Sequence, residues 1–151
     1  MLLATLQQLF ERDLKALKRE IEAYNNEADL WIIKKAISNS AGNLCLHLMG
    51  NLNHFIGSQL GKSGYVRERD VEFTRKDVPI SELIVMINDT RSTVIKTLDI
   101  LTEEQLEQDY PLVVFKEKMS ISFFLIHLTT HLAYHLGQIN YHRRLLTNAQ
   151  T

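Results

Sequence analysis

His131 and His135 stand four apart in Thr130-His131-Leu132-Ala133-Tyr134-His135-Leu136-Gly137-Gln138, a run whose apolar spacing predicts a helix. On a helix that spacing sets two imidazoles on one face with Cβ atoms roughly 5–6 Å apart, close enough to share one ion. A metal site then needs a third ligand from a facing helix and room for water. His47, in Leu44-Cys45-Leu46-His47-Leu48-Met49-Gly50-Asn51, is the candidate third. Three neutral imidazoles with an open position would make an activating centre, since a closed structural zinc site takes four ligands, usually with cysteines.

The chain has six histidines. At 100° per residue His127, His131, His135 and His142 fall within an arc of about 80° on one helix, and His47 and His54 share a face of another. The competing reading is of core histidines satisfied by neighbouring hydroxyls and carbonyls. It stays open for the triad and is the expected state of His54, His127 and His142. Other metal architectures drop out. A di-iron bundle needs Glu-x-x-His motifs, but Leu44, Phe124, Leu128 and Leu132 stand three before the histidines. A zincin needs Glu after its first histidine, where Leu132 stands. Cys45 is the single cysteine; with no cation beside it to lower its pKa, it reads as a small buried hydrophobe.

Asn51, Arg67, Arg69 and Gln138 are the candidate substrate-binding residues. The arginines could hold an anionic group over the bundle end, although charges on a loop are commonly just solvated. Tyr134, Gln138 and Asn140 flank the proposed site, where packing and support of the ligands account for them equally well. No side chain stands out as a dedicated general base.

Four long helices must position these groups. Leu6, Phe10, Leu14, Leu17, Ile21 and Tyr24 form an apolar stripe and predict the first. The second runs from near Ser40 to about Leu60, where Gly61 is expected to stop it. The third starts around Pro79 and buries Ile80, Leu83, Ile84, Ile87, Val94, Leu98 and Leu101, with Arg91 interrupting the stripe. Thr102-Glu103-Glu104-Gln105 has capping-box form, and Pro111 with Val113-Val114-Phe115 reads as an extended connection. The fourth helix, from near Ser120 to about Leu146, is apolar almost all round and is expected to sit deepest. Antiparallel neighbours need only about 2–8 linking residues. The far longer link 61–78 therefore predicts an all-α four-helix bundle with a crossover between helices two and three.

A chain of 151 residues fits one domain, residues 1–151. Its 45% hydrophobic and 23% charged residues are those of a soluble globular protein. A net charge of −1 gives no pull toward nucleic acid or anionic membrane, and no basic run interleaved with aromatics appears. No apolar stretch approaches the ~18 residues of a membrane span. The N-terminus lacks signal-peptide features, and a single cysteine fits a cytoplasmic location.

Together these residues resemble the DinB-like superfamily of four-helix metalloproteins, and more narrowly an uncharacterised branch of it. The motifs that carry the likeness are His47 within Leu46-His47-Leu48-Met49-Gly50-Asn51, and His131-x-x-x-His135-x-Gly137-Gln138. It extends over essentially the whole chain, including Gly64-Tyr65-Val66-Arg67-Glu68-Arg69-Asp70 and Asn140-Tyr141-His142-Arg143-Arg144. The resemblance implies that His47, His131 and His135 ligate a divalent metal, zinc or nickel, at one end of the bundle. It also implies a homodimer. Characterised relatives include thiol-dependent S-transferases using bacillithiol or mycothiol and a maleylpyruvate isomerase using a thiol cofactor. The expected function is thus a metal-dependent enzyme acting on a small molecule, as a thiol S-transferase or a related hydrolase or isomerase, with a low-molecular-weight thiol as the second cofactor. The alternative is a non-catalytic metal-holding stress or interaction protein. A substrate-sized pocket beside an unfilled coordination position favours the enzyme; a fourth protein ligand or a sealed site favours the alternative.

Overall fold

A computed structural model describes residues 1–147, and among these residues the chain is helical with no strand. Five α-helices, α1 (Leu2–Glu22), α2 (Ala41–Leu52), α3 (Arg69–Thr74), α4 (Ile80–Ile100) and α5 (Ile121–Thr147), are joined by short 3-10 turns at Glu27–Trp31 and Gln105–Glu107. A π-helical turn, Asn53–Ser58, prolongs α2. α1, α2, α4 and α5 are the four predicted bundle helices.

The α1 stripe is realised as read: Leu6, Phe10, Leu14, Leu17 and Ile21 are buried. α1 and α2 each pack against both α4 and α5, so they occupy opposite corners of the bundle. Arg91, the polar break in the α4 stripe, reaches α1 and donates to Glu11 at 2.8 Å. Thr102 and Gln105 exchange both bonds of a capping box, the Thr102 N–H to Gln105 Oε1 at 2.8 Å and the Gln105 N–H to Thr102 Oγ1 at 3.3 Å.

α2 and its extension lie alongside α4 in one sense. Asn53 Nδ2 donates to Thr90 Oγ1 at 2.8 Å, Gly57 faces Thr93, and Gly61 faces Thr97. The numbers rise together, the relative direction that a long link must accommodate. Gly61 is small because Thr97 fills the space a Cβ would take. The left-handed backbone that turns the chain out of the helix falls one residue later, at Lys62, with φ 53°. A second glycine on α2 serves packing: a Cβ at Gly42 would lie 2.6 Å from the Trp31 ring.

Two expectations are corrected. The deepest helix is α2, in which all 12 residues are buried. α5 instead exposes Phe123 (58%), Tyr134 (66%), Tyr141 (65%) and Leu145 (72%). An all-round apolar pattern can mark burial on every side or one face left uncovered, and here it is the second. The link 61–78 is also more than a loop, since it contains α3, which packs against α2 and buries Glu72.

Candidate metal centre

α2 begins at Ser40, whose Oγ accepts from the Asn43 N–H at 3.1 Å, an N-cap that fixes where the helix starts. Two turns further on, His47 is carried to the α5 side with only 7% of its surface exposed. α5 supplies His131 and His135 from the opposite wall. His47 Nε2 lies 3.2 Å from His131 Nε2, and His135 Nε2 lies 3.1 Å from the same atom. One nitrogen from each residue falls within 4.8 Å of the others, and among the described residues this cluster has three members.

The outer ring nitrogens explain why these three atoms face inward. His47 Nδ1 is 3.0 Å from Glu72 Oε1, and His135 Nδ1 is 2.7 Å from Gln138 Oε1. Each oxygen accepts a hydrogen bond from Nδ1–H, so both Nε2 atoms keep lone pairs that point at His131 Nε2. His131 cannot answer both with a single N–H, and its Nδ1 is buried without a partner among the described residues. Three converging acceptors suit a cation better than a hydrogen-bond network. Nitrogens 2.0–2.1 Å from a shared ion at tetrahedral angles would stand about 3.3–3.4 Å apart. The 3.1 and 3.2 Å separations are within a few tenths of that, and His47 and His135 offer nitrogens within 4.8 Å of each other, close enough for the donor set to hold a divalent ion.

Electrostatics point the same way. Burial, reinforced by His135, His47, His127 and Arg67, pushes the His131 imidazole down to about 3. Burial also lowers His135, against the opposing effect of its hydrogen bond to Gln138. Neutral imidazole, the form that ligates metal, is therefore favoured at both positions. For Glu72, burial works to raise the carboxyl, but the hydrogen bonds from Arg67 and His47 outweigh it and hold it below the usual range.

The other candidates go to different places. Arg67 is held by Glu72, Nε to Oε2 at 2.8 Å and Nη2 to Oε1 at 2.8 Å, and its guanidinium lies 5.6 Å from the centre of the Phe55 ring. Arg69 is exposed and lies over Phe73 at 5.3 Å. Asn51 is buried with Oδ1 unpartnered among the described residues. Asn140 turns away from the site and donates to Glu20 on α1, whereas the Tyr134 ring meets His135 edge-on at 5.3 Å. His142 is structural, bonded to Tyr24 Oη at 2.7 Å and to the Ile32 carbonyl at 2.8 Å. His127 packs among Phe115, Phe124 and His131, and His54 against Phe55. Cys45 is fully buried, and burial pushes its thiol up to about 12, as a small hydrophobe requires. Glu72 was missed by sequence reasoning because a helix of 6 residues is too short to leave a periodic signature.

Fold and site together define an all-helical bundle with a three-histidine cluster able to hold a metal ion. The chain belongs to the family described as a protein of unknown function (DUF1572), whose model matches residues 2–151. No curated protein matches it significantly.

Proposed function

We propose that this single-domain chain is a divalent-metal-dependent enzyme of the cytoplasm, in which His47, His131 and His135 hold zinc or nickel. The observation that carries this reading is that one nitrogen from each of the three histidines lies within 4.8 Å of the others, with the Nδ1 atoms of His47 and His135 engaged elsewhere. When bound, the ion would supply Lewis acidity, lowering the pKa of a coordinated thiol or water. His47 and His135, anchored by Glu72 and Gln138, keep the centre preorganised. His131 and His135 are only half-buried, so the site is reachable from solvent, and the three-member cluster leaves a position for an exogenous ligand. Arg67 is committed to Glu72, whereas Arg69, exposed at the edge of α3, would be the arginine of this pair to meet an anionic substrate.

The resemblance to DinB-like proteins favours S-transfer. A thiol sulfur would attack an electrophilic carbon of the small molecule, the new S–C bond forming as the leaving group departs with its bonding pair and the thiol proton passes to solvent. The direct test is to incubate metal-loaded protein with bacillithiol, mycothiol or glutathione and a generic electrophile. Conjugation above the uncatalysed rate that disappears in His131→Ala supports the enzyme. No acceleration with either zinc or nickel contradicts it.

One observation favours the second reading, a non-catalytic metal-holding protein. A cavity of about 350 Å³ lies between α2, α4 and the link, lined by residues including Met49, Tyr65, Glu72 and Met86 but by no histidine. The candidate centre does not open into this space. For assembly, we propose a homodimer formed across the uncovered face of α5. Phe123, Ile126, Tyr134, Tyr141 and Leu145 are all exposed there, and with Thr130 and Gly137 they follow one another at helical steps of three and four.

A further inference from the structure

We propose that Glu72 is the positioning residue of this centre, and that the ion and the link 61–78 hold each other in place. The inference rests on the metal reading above and adds to it a coupling between the site and a segment that supplies no ligand.

A carboxylate with only 6% of its surface exposed must be compensated by close partners. Glu72 has two of them, making three contacts. Arg67 grips both oxygens at 2.8 Å, and His47 Nδ1 lies 3.0 Å from Oε1. The surface of α2 is shaped to receive it. A Cβ at Gly50 would run into the Glu72 carboxylate, so glycine lets the carboxylate lie against the helix. One turn before His47, Asn43 Nδ2 donates to the carbonyls of Glu72 and Arg75 at 3.0 and 2.8 Å. Asn43, His47 and Gly50, on successive turns of α2, therefore all serve to seat α3.

The arrangement has two consequences. Because Arg67 occupies both oxygens, Glu72 is held beside the imidazole and kept from swinging inward as a fourth ligand. Because the His47 Nδ1–H donates to Glu72, its Nε2 lone pair stays fixed on the other two histidines. An ion on Nε2 draws electron density from the ring and makes Nδ1–H a stronger donor, which tightens the grip on Glu72. By reciprocity, whatever the ion contributes to seating the link, the link returns to ion affinity.

Zinc affinity measured by competition with a chelating dye tests this, for the wild-type chain, Glu72→Ala and Glu72→Gln. Hydrogen exchange over residues 67–76 is followed with and without zinc, and circular dichroism checks that each variant is folded. We expect Glu72→Ala to bind zinc about 10–100-fold more weakly than wild type. Glu72→Gln, which keeps a neutral acceptor for His47, should lose less, an order that simple loss of packing does not produce. Zinc should slow exchange over 67–76 in the wild-type chain and not in Glu72→Ala. If Glu72→Ala does not fold, Glu72→Gln carries the affinity comparison. Affinity within twofold of wild type in the folded variants, or unchanged exchange in a wild-type chain that does bind zinc, overturns the coupling. Failure of the wild-type chain to take up zinc or nickel overturns the metal reading and this inference with it.

Discussion

At the scale of single residues, the triad was legible because helical spacing alone brings His131 and His135 onto one face, and His47 on a facing helix completes the set. What orients the triad was less legible. Gln138, three residues after His135, stood within reach on the same helix and was among the residues noted for substrate or support. Glu72 comes from a separate segment, and only folding brings it to His47. The protonation state of the triad gives a prediction. The His131 imidazole falls from its ordinary 6.5 to about 3 in the fold, chiefly through burial. Between those values the unfolded chain binds a proton that the folded chain does not, so stability rises with pH across that interval. The metal-free protein should therefore keep this contribution above about pH 6.5 and lose it progressively as the pH falls toward about 3. Urea unfolding at a series of pH values should show the loss, with a flatter profile in His131→Leu. An identical slope in the variant would mean that His131 is not the group responsible.

At the scale of elements, α1 and α4 were readable because each has one wet and one buried side. α2 and α5 could not be told apart in depth, since both are apolar around most of their circumference. The difference lies in what covers them: α3 and the Trp31 turn close over α2, while nothing among the described residues covers the Phe123–Tyr141 side of α5. The start of α2 matters because it sets the height at which His47 faces α5. Ser40→Ala removes the cap that accepts from the Asn43 N–H and also the hydroxyl that donates to Asn43 Oδ1 at 2.7 Å. A loss of about 1–2 kcal/mol is expected, measurable as a lower urea midpoint with unchanged m-value; no change would show that α2 does not depend on this cap. We read the common direction of α2 and α4 as a crossover through residues 61–78. Spin labels at Ser58 and Lys96 should then lie much closer together than labels at Ser58 and Glu82, and the reverse order would refute it.

At the scale of the whole molecule, no helix among the described residues is long and apolar enough to cross a membrane. The uncovered apolar stripe of α5 is a face of the kind that commonly marks an interface. If two copies meet there, Phe123→Glu combined with Tyr141→Glu should shift the species seen by light scattering from dimer to monomer without unfolding it. A wild-type chain that is already monomeric at high concentration would end that proposal. Metal should also contribute to global stability, because an ion that binds only the folded state stabilises it by mass action. Free ion at about 100 times its dissociation constant gives about 2.7 kcal/mol. For a chain of this size that corresponds to a rise in melting temperature of roughly 5–10 °C. Chelation should remove the rise in the wild-type chain, and His131→Ala should show none to remove.

The central claim is that three imidazoles from two facing helices share one ion. X-ray absorption at the metal edge, on untagged protein purified without chelator, tests it most directly and is read together with metal content per chain. The expected result is about one zinc or nickel per chain with three histidine nitrogens at about 2.0–2.1 Å, and loss of that signal in His131→Ala. A chain that takes up neither metal, or one whose bound metal keeps the same ligand shell after His131→Ala, would contradict it.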